Sequence, residues 1–359
     1  MVKMLTDERR GGCKKTVGKR FSIHLIYNNS AADSVSAALY VIDCEVKKLS
    51  FFVFVCCMLL GVMPPAAAQR PQRFHKVLPA GNYSGIVPLG NDRFAVVCDK
   101  TEEDGFYVFH IEVDTVKGRI TAVENEGFRS SGLPNRDMEG ICYRPSTNTV
   151  FVSGEKDNEV YEYTLEGQRT GRKLEMPEAF KQADHNYGLE SLTYDARRHL
   201  FYTTTEHCLR GDSLLRIQTF GDDLKPQRQY LYRPDAPISD KHVYRVSELC
   251  ALRDGRLLIL ERQIHVSRLK TGASTVIRIY EVSPGEEAFL EKRLVTEFRT
   301  RLNLFSRRFA NYEGLCELPS GWLLLIADSQ YRYKGFLRDW FLLLRVHEGV
   351  EHVEESARF

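Results

Sequence analysis

The chain has almost no net charge. Its 50 basic residues against 48 acidic ones leave +2 at neutral pH, so nothing in its overall electrostatics points to nucleic acid or another polyanion. It lacks an apolar run of membrane length, the longest being the stretch from Leu49 to Met63, about 15 residues where a span needs roughly 20. No Cys-x-x-Cys spacing occurs, and the cysteines beyond residue 68 (Cys98, Cys142, Cys208, Cys250 and Cys316) are odd in number, which argues against a disulfide framework and against a structural zinc site. A nucleophile elbow, a zinc-protease helix and a Walker loop are also missing, so the common signatures of acyl and phosphoryl transfer are not available. What remains, at 43% hydrophobic residues and mean hydropathy −0.33, is an ordinary globular composition long enough to bury a sizeable core.

What the chain does have is repetition. Asn311-Tyr312-Glu313-Gly314-Leu315-Cys316 places an acid before alternating apolar positions, then Pro319-Ser320-Gly321 turns the chain, and the run from Trp322 returns to stop on Asp328. This is the pattern of a hairpin with two carboxylates at its open end. Upstream copies carry Glu139 with Glu155, Glu190 with Glu206, and Glu248 with Glu261, and a first copy has Ser84 in place of the leading acid but still ends on Asp99. The leading positions lie 55, 51, 58 and 65 residues apart, and each period holds four runs of strand length, as in GFYVFHIEV and GRITAVEN after the first hairpin. The expected fold is therefore an all-β propeller of five blades, six if a weak copy lies in one of the longer gaps. A strand near Phe74–Pro79 is expected to complete the last blade and close the ring. Cys142, Cys250 and Cys316 share one place in three copies and are read as buried apolar thiols.

Lys47-Lys48, the apolar stretch and then Ala66-Ala67-Ala68 have the order of a secretory signal, with cleavage after Ala68. On that reading residues 1–46 are a start-site overcall, 47–68 are the signal, and 69–359 form one exported domain, periplasmic or secreted, with no membrane span after cleavage and a monomeric state expected.

In a propeller, the start of the innermost strand and the end of the next emerge at one face beside the axis. Up to nine carboxylates are thereby expected around one mouth: Glu139, Glu190, Glu248 and Glu313 from strand starts, and Asp99, Glu155, Glu206, Glu261 and Asp328 from strand ends. Such a set repels itself unless cations are present. The chain offers Lys100, Lys156, His207 and Arg262 after strand ends, and Arg136, Arg245, Arg307 and Arg308 before strand starts. A hard Ca²⁺ ion on Asp99, Glu190, Glu261, Glu313 and Asp328, helped by amide oxygens of Asn135, Asn186 or Asn311, is the alternative. Acids mixed with Arg and Lys suit a phosphoester: Arg136, Lys156, Arg245 and Arg262 on the phosphoryl oxygens, and Glu139, Glu190, Glu248 or Glu313 to orient water. Against this stands a purely structural role, in which each glutamate caps or pairs with the neighbouring blade.

Asp137-Met138-Glu139-Gly140, Gly188-Leu189-Glu190, Leu260-Glu261-Arg262 and Asn311-Tyr312-Glu313-Gly314 together resemble the phytase-like propeller family named for the esterase-like activity of phytase, over Gly81 to Val346. The resemblance implies an exported propeller with a hydrolytic activity. The chain departs from the family pattern at Ser84 and at Ser329-Gln330 after Asp328. A phosphoester or ester of a small molecule is the expected substrate. A lactone, or a glycan, peptide or protein held without chemistry on rim aromatics such as Phe305, Phe309, Tyr331 and Tyr333, is the rival.

Overall fold

The computed structural model describes residues 70–181, 183, 187–265, 272–302 and 309–345. The signal at 47–68, the residues before it, His185, Asn186, Phe305, Arg307, Arg308 and the tail from Glu348 lie outside them. Among the described residues, no helix is long and apolar enough to cross a membrane.

Each repeat folds into a four-stranded antiparallel sheet, and there are five. Blade one is β2 (Tyr83–Gly90), β3 (Arg93–Cys98), β4 (Glu103–Asp114) and β5 (Arg119–Pro134). Blade two is β6 (Met138–Arg144), β7 (Thr149–Gly154), β8 (Glu159–Thr164) and β9 (Arg169–Lys173), followed by one helical turn, α1 (Glu178–Lys181). Blade three comprises β10 (Leu189–Asp195), β11 (Leu200–Thr205), β12 (Leu215–Phe220) and β13 (Pro226–Tyr232). Blade four comprises β14 (Val243–Ala251), β15 (Leu257–His265), β16 (Ser274–Val282) and β17 (Lys292–Arg301). Blade five is β18 (Asn311–Glu317), β19 (Trp322–Asp328) and β20 (Trp340–Arg345), completed by β1 (Gln72–Arg73) from the other end of the described chain.

The closing strand is thus Gln72–Arg73, pairing with Phe341 and Trp340, and lies just ahead of the Phe74–Pro79 segment expected to do this. Phe74 turns away to pack edge-on against Phe341, and the chain then makes a turn in which Leu78 N–H donates to the Phe74 carbonyl. The hairpin turns carry left-handed residues at matching places, Asp92, Asn148, His199, Gly255 and Gly321, the residue types that tolerate that conformation best.

The inner strands are buried on both faces because each sheet is covered by a sheet on either side, whereas the outermost strands β5, β9, β13 and β17 are largely polar and exposed. Among the described residues, the buried apolar side chains divide into five clusters, one at each boundary between neighbouring blades. The cluster joining blade five to blade one includes Leu324, Ile326 and Phe341 with Tyr83, Phe94 and Phe109, so the ring closes through packing as well as through β1. Cys98, Cys142, Cys250 and Cys316 are buried as free thiols.

At the axis the innermost strands approach so closely that most blades admit only a small residue after the leading position. A Cβ on Gly140 would come 2.4 Å from the Leu192 nitrogen of blade three, and one on Gly85 would come 2.7 Å from the Glu139 carbonyl oxygen of blade two. Both obstacles are backbone, which cannot swing aside. Gly140→Ala is expected to destabilise the protein by about 1–3 kcal/mol through overpacking, read as a lower midpoint in chemical denaturation. An unchanged midpoint would show that the axis is looser than this geometry.

Candidate active site at the channel mouth

The register of the inner hairpins determines which side chains reach the mouth. In blades three, four and five a bulge interrupts the β-ladder at one residue, Glu190 between Leu189 and Ser191, Ser247 between Val246 and Glu248, and Glu313 between Tyr312 and Gly314. Glu139 and Ser84 occupy the matching place in blades two and one, inside wider irregularities. Ladder partners above the bulge then fix the opposite strand: Leu189 faces Thr205, Val246 faces Glu261 and Tyr312 faces Ala327. The next residue along is the one aimed at the axis, giving Glu206, Arg262 and Asp328, with Glu155 and Asp99 in blades two and one. The mouth is built of two stacked rings of five, Ser84, Glu139, Glu190, Ser247 and Glu313 in one and Asp99, Glu155, Glu206, Arg262 and Asp328 in the other.

This corrects the sequence alignment of blade four by one residue. Because strand side chains alternate faces, a one-residue slip moves a carboxylate from the mouth to another environment, and both expected acids of this blade are displaced. Glu248 occupies the place of Gly140 and Gly314. It is fully buried at the axis, where Leu249 N–H donates to Oε1 at 3.0 Å and Leu192 and Leu315 of the flanking blades also donate backbone N–H groups. Burial drives its carboxyl well above the ordinary range. Glu261 points between blades, taking hydrogen bonds from Tyr232 and from Lys292 Nζ at 2.8 Å and the Asp235 N–H at 3.0 Å. Neither lines the cavity, so Glu248 is not placed to activate water there, nor Glu261 to hold a metal. Arg136, expected to grip substrate, is buried against Asp157 at 2.8 Å and over the Tyr161 ring at 4.6 Å, and Lys156 is exposed and pairs with Asp137 at 3.1 Å. Asn135 Oδ1 is already taken by the Asp137 N–H. Tyr312 is wholly buried, whereas Tyr187 remains partly exposed and packs on His207.

The cavity has a volume of about 670 Å³. Seven carboxylates line it (Asp99, Glu139, Glu155, Glu190, Glu206, Glu313 and Asp328) against four cations (Lys100, Lys241, Arg245 and Arg262). Asn82, Asn311, Gln330, Tyr331, Val243 and Ile264 complete the lining, and of these the sequence had singled out Asn311, Tyr331 and, as a departure from the family pattern, Gln330. The alternation V-Y-R at 243–245 and R-Q-I at 262–264 was the available signal for the apolar pair.

Arg262 holds three blades together at this level. Its Nη2 lies 3.2 Å from Glu190 Oε1 and 3.3 Å from Glu206 Oε1, while Nη1 pairs with Glu313. Arg245 pairs with Glu206 as well, and Asn311 Nδ2 donates to Glu313 at 2.8 Å. On the opposite side Lys100 lies 3.0 Å from Asp99 and 3.3 Å from Asp137. Glu139 has no ion pair among the described residues. Burial first, and then the charges of Glu190, Asp99, Glu313 and Glu155, raise its carboxyl well above the usual range. Glu190 and Asp328 are raised in the same way, by burial and by Glu206 and Glu313 respectively, and burial brings Asp99 up to about 6 despite the pull of Lys100.

Among the described residues, no three His, Cys, Asp or Glu side chains converge as a finished metal shell. The donor chemistry nevertheless suits a hard cation. Asp99 Oδ1, Glu206 Oε2 and Asn311 Oδ1 are buried oxygens without a hydrogen-bond partner, and carboxylates with an amide oxygen are what Ca²⁺ accepts.

The family model described as "Phytase-like: Esterase-like activity of phytase" matches residues 78–330. Among curated proteins none matches the chain. Similar solved structures include a luciferin-regenerating enzyme, 10% identical over 77% of this chain and 95% of that one with TM-score 0.43. Others are the Kuenenia stuttgartiensis hydrazine synthase, 10% identical over 77% and 90% with TM-score 0.35, and the Cps50 (Swd1) β-propeller domain of Myceliophteria thermophila, 10% identical over 72% and 83% with TM-score 0.35.

Replacing Arg262 by Met would leave Glu190, Glu206 and Glu313 buried without their shared cation, a loss of roughly 3–5 kcal/mol at pH 7.5. Arg262 lowers the carboxyl pKa values of Glu190 and Glu313, so its removal raises them further. An acid raised on folding is no burden below its ordinary pKa and becomes one as pH climbs through the folded value. The deficit of Arg262→Met relative to wild type is therefore expected to be small at pH 4.5 and large at pH 7.5 in denaturation series. An equal deficit at both would mean lost packing alone.

Proposed function

Because the chain belongs to the phytase-like family described as esterase-like activity of phytase, we propose that it is a hydrolase of small phosphoester or ester molecules, acting at the channel mouth outside the cytoplasm. The observation that carries this reading is the presence in one cavity of Glu139, a carboxyl raised by burial and without an ion pair among the described residues, together with two guanidinium groups, Arg245 and Arg262.

The chemistry follows from that arrangement. Arg245 and Arg262 neutralise the oxygens of an anionic head group and compensate the charge that builds on them as water attacks. Glu139, whose carboxyl burial and neighbouring acids raise, takes a proton from the attacking water as the new bond to phosphorus or carbon forms. The bond to the leaving oxygen breaks with its electron pair, and Glu139 returns the proton to that oxygen. Glu190, Glu206 and Glu313 hold Arg262 in position and exclude its rotation. Export of the domain rests on the order of charged, apolar and small residues in 47–68.

A Ca²⁺ ion belongs to the same proposal, with Asp99, Asp328 and Asn311 Oδ1 as the residues to hold it. When bound, such an ion would supply further positive charge for the ester oxygens. The net acidity of the lining and the unpartnered buried oxygens support this.

Two measurements test the reading. With p-nitrophenyl phosphate, p-nitrophenyl acetate and a γ-lactone as probes, at least one is expected to be turned over, and Glu139→Gln should lower kcat by about 10²–10⁴. A Glu139→Gln enzyme as active as wild type would remove Glu139 from the mechanism, and no turnover of any probe would leave a binding propeller. For the ion, thermal melting should rise by several degrees with millimolar CaCl₂, revert with EDTA and show no response in Asp328→Asn. A wild-type melting curve indifferent to Ca²⁺ and EDTA leaves the arginine-neutralised site alone.

A further inference from the structure

Blade four is taller than its neighbours. Above the level of Arg245 and Arg262, which pair with one another across the ladder just as Asn311 pairs with Asp328 in blade five, β14 and β15 continue through Tyr244 opposite Gln263 and Val243 opposite Ile264. The extension is backed by β16, which pairs with β15 as far as His265 opposite Ser274, and by β17, which pairs with β16 there. It is a braced wall at one side of the mouth.

Alternation sorts its side chains. Tyr244 faces away, with its hydroxyl on Cys208 Sγ and its ring on His207. Gln263 also faces away, accepting the Ile238 N–H and donating to the Ala236 carbonyl. Arg245 and Arg262 face the cavity, and one strand step above them so do Val243 and Ile264. Val243 is 48% exposed, so the pair is not part of the core that stabilises the blade. Two residues of strand place it roughly 7 Å above the guanidinium groups.

An apolar ledge at that height, over a floor where Arg245 and Arg262 meet Glu190, Glu206 and Glu313, in a cavity otherwise lined by acids, amides, Lys100, Lys241 and Tyr331, has a defined chemical complement. We infer that the substrate is amphiphilic: an anionic or ester head sits on Arg245 and Arg262, and an alkyl or acyl arm lies along Val243 and Ile264. This rests on the hydrolase reading of the same cavity and adds the class of molecule it takes. The highly charged, wholly polar phosphoesters are disfavoured on the same ground, since they would bury nothing on the ledge and would set further anions against the acids of blades one, two and five.

The test is calorimetric titration of the intact protein with methyl, ethyl, butyl and hexyl phosphate, which needs no turnover. Affinity is expected to rise about fourfold per methylene over the first few carbons, the value for moving a CH₂ out of water, and to do so weakly or not at all in Ile264→Asn. Val243→Asn, at an exposed strand end where folding is not in question, should flatten the series likewise. Methyl phosphate binding with no gain along the wild-type series overturns the inference and leaves the hydrolase reading standing. A steep series that both variants retain overturns the assignment to this ledge. Failure of every alkyl phosphate to bind overturns the anionic-head reading of the cavity, and the inference with it.

Discussion

Arg262 is the cation on which the mouth depends. Its guanidinium touches carboxylates from blades three and five while its backbone belongs to blade four, so it ties three repeats at the place where their charges collide. Four of the five blades present an acid at the second-ring position and only blade four presents a base. A strictly repeated sequence would give a ring of like charges that desolvation makes worse. The arginine relieves the repulsion on one side, and on the other Lys100 pairs with Asp99 while Glu139 and Asp328 make no ion pair among the described residues. That asymmetry makes the two sides of the mouth electrostatically different.

Blade four breaks the repeat at the axis as well. Where blades one, two and five have glycine because the neighbouring backbone leaves no room, blade four has Glu248, whose carboxyl is absorbed by backbone N–H groups from both adjacent blades and its own. The same blade thus buries a carboxyl at the axis, supplies the two arginines of the mouth, and rises above it as a wall. The departures from the repeat are concentrated in one blade, and function in a repeat fold is expected where repetition fails, since the shared features already account for packing.

The repeats were legible because strand pattern and turn chemistry are local. Glu-Gly-Ile-Cys at 139–142 and Glu-Gly-Leu-Cys at 313–316 share one spacing and one fold position, and the return runs to Glu155 and Asp328 end where the second ring begins. Blade four was misread for an equally local reason. Its Glu248 and Glu261 match the motif by residue type, whereas alignment on Cys250 puts Ser247 at the leading position and Arg262 at the end. A carboxylate one place away lies on the other side of the strand, so residue type without register is not enough to place it. Arg136 was misplaced differently: its loop does reach the mouth, but Asp104, Asp157 and the Tyr161 ring hold the side chain in the body of blade two.

The amino-acid sequence alone determined the all-β class, the five units, the closing of the ring by the N-terminal segment, and the meeting of acids from distant positions at one end, because alternation and turn residues act within a few residues of chain. Only the tertiary structure decided which of those acids share a cavity, that an arginine takes the place of an acid in one blade, and that an apolar ledge stands above it. Those outcomes depend on the bulge that sets each hairpin's register and on the separation of side chains brought together from different blades. Both are properties of the closed ring.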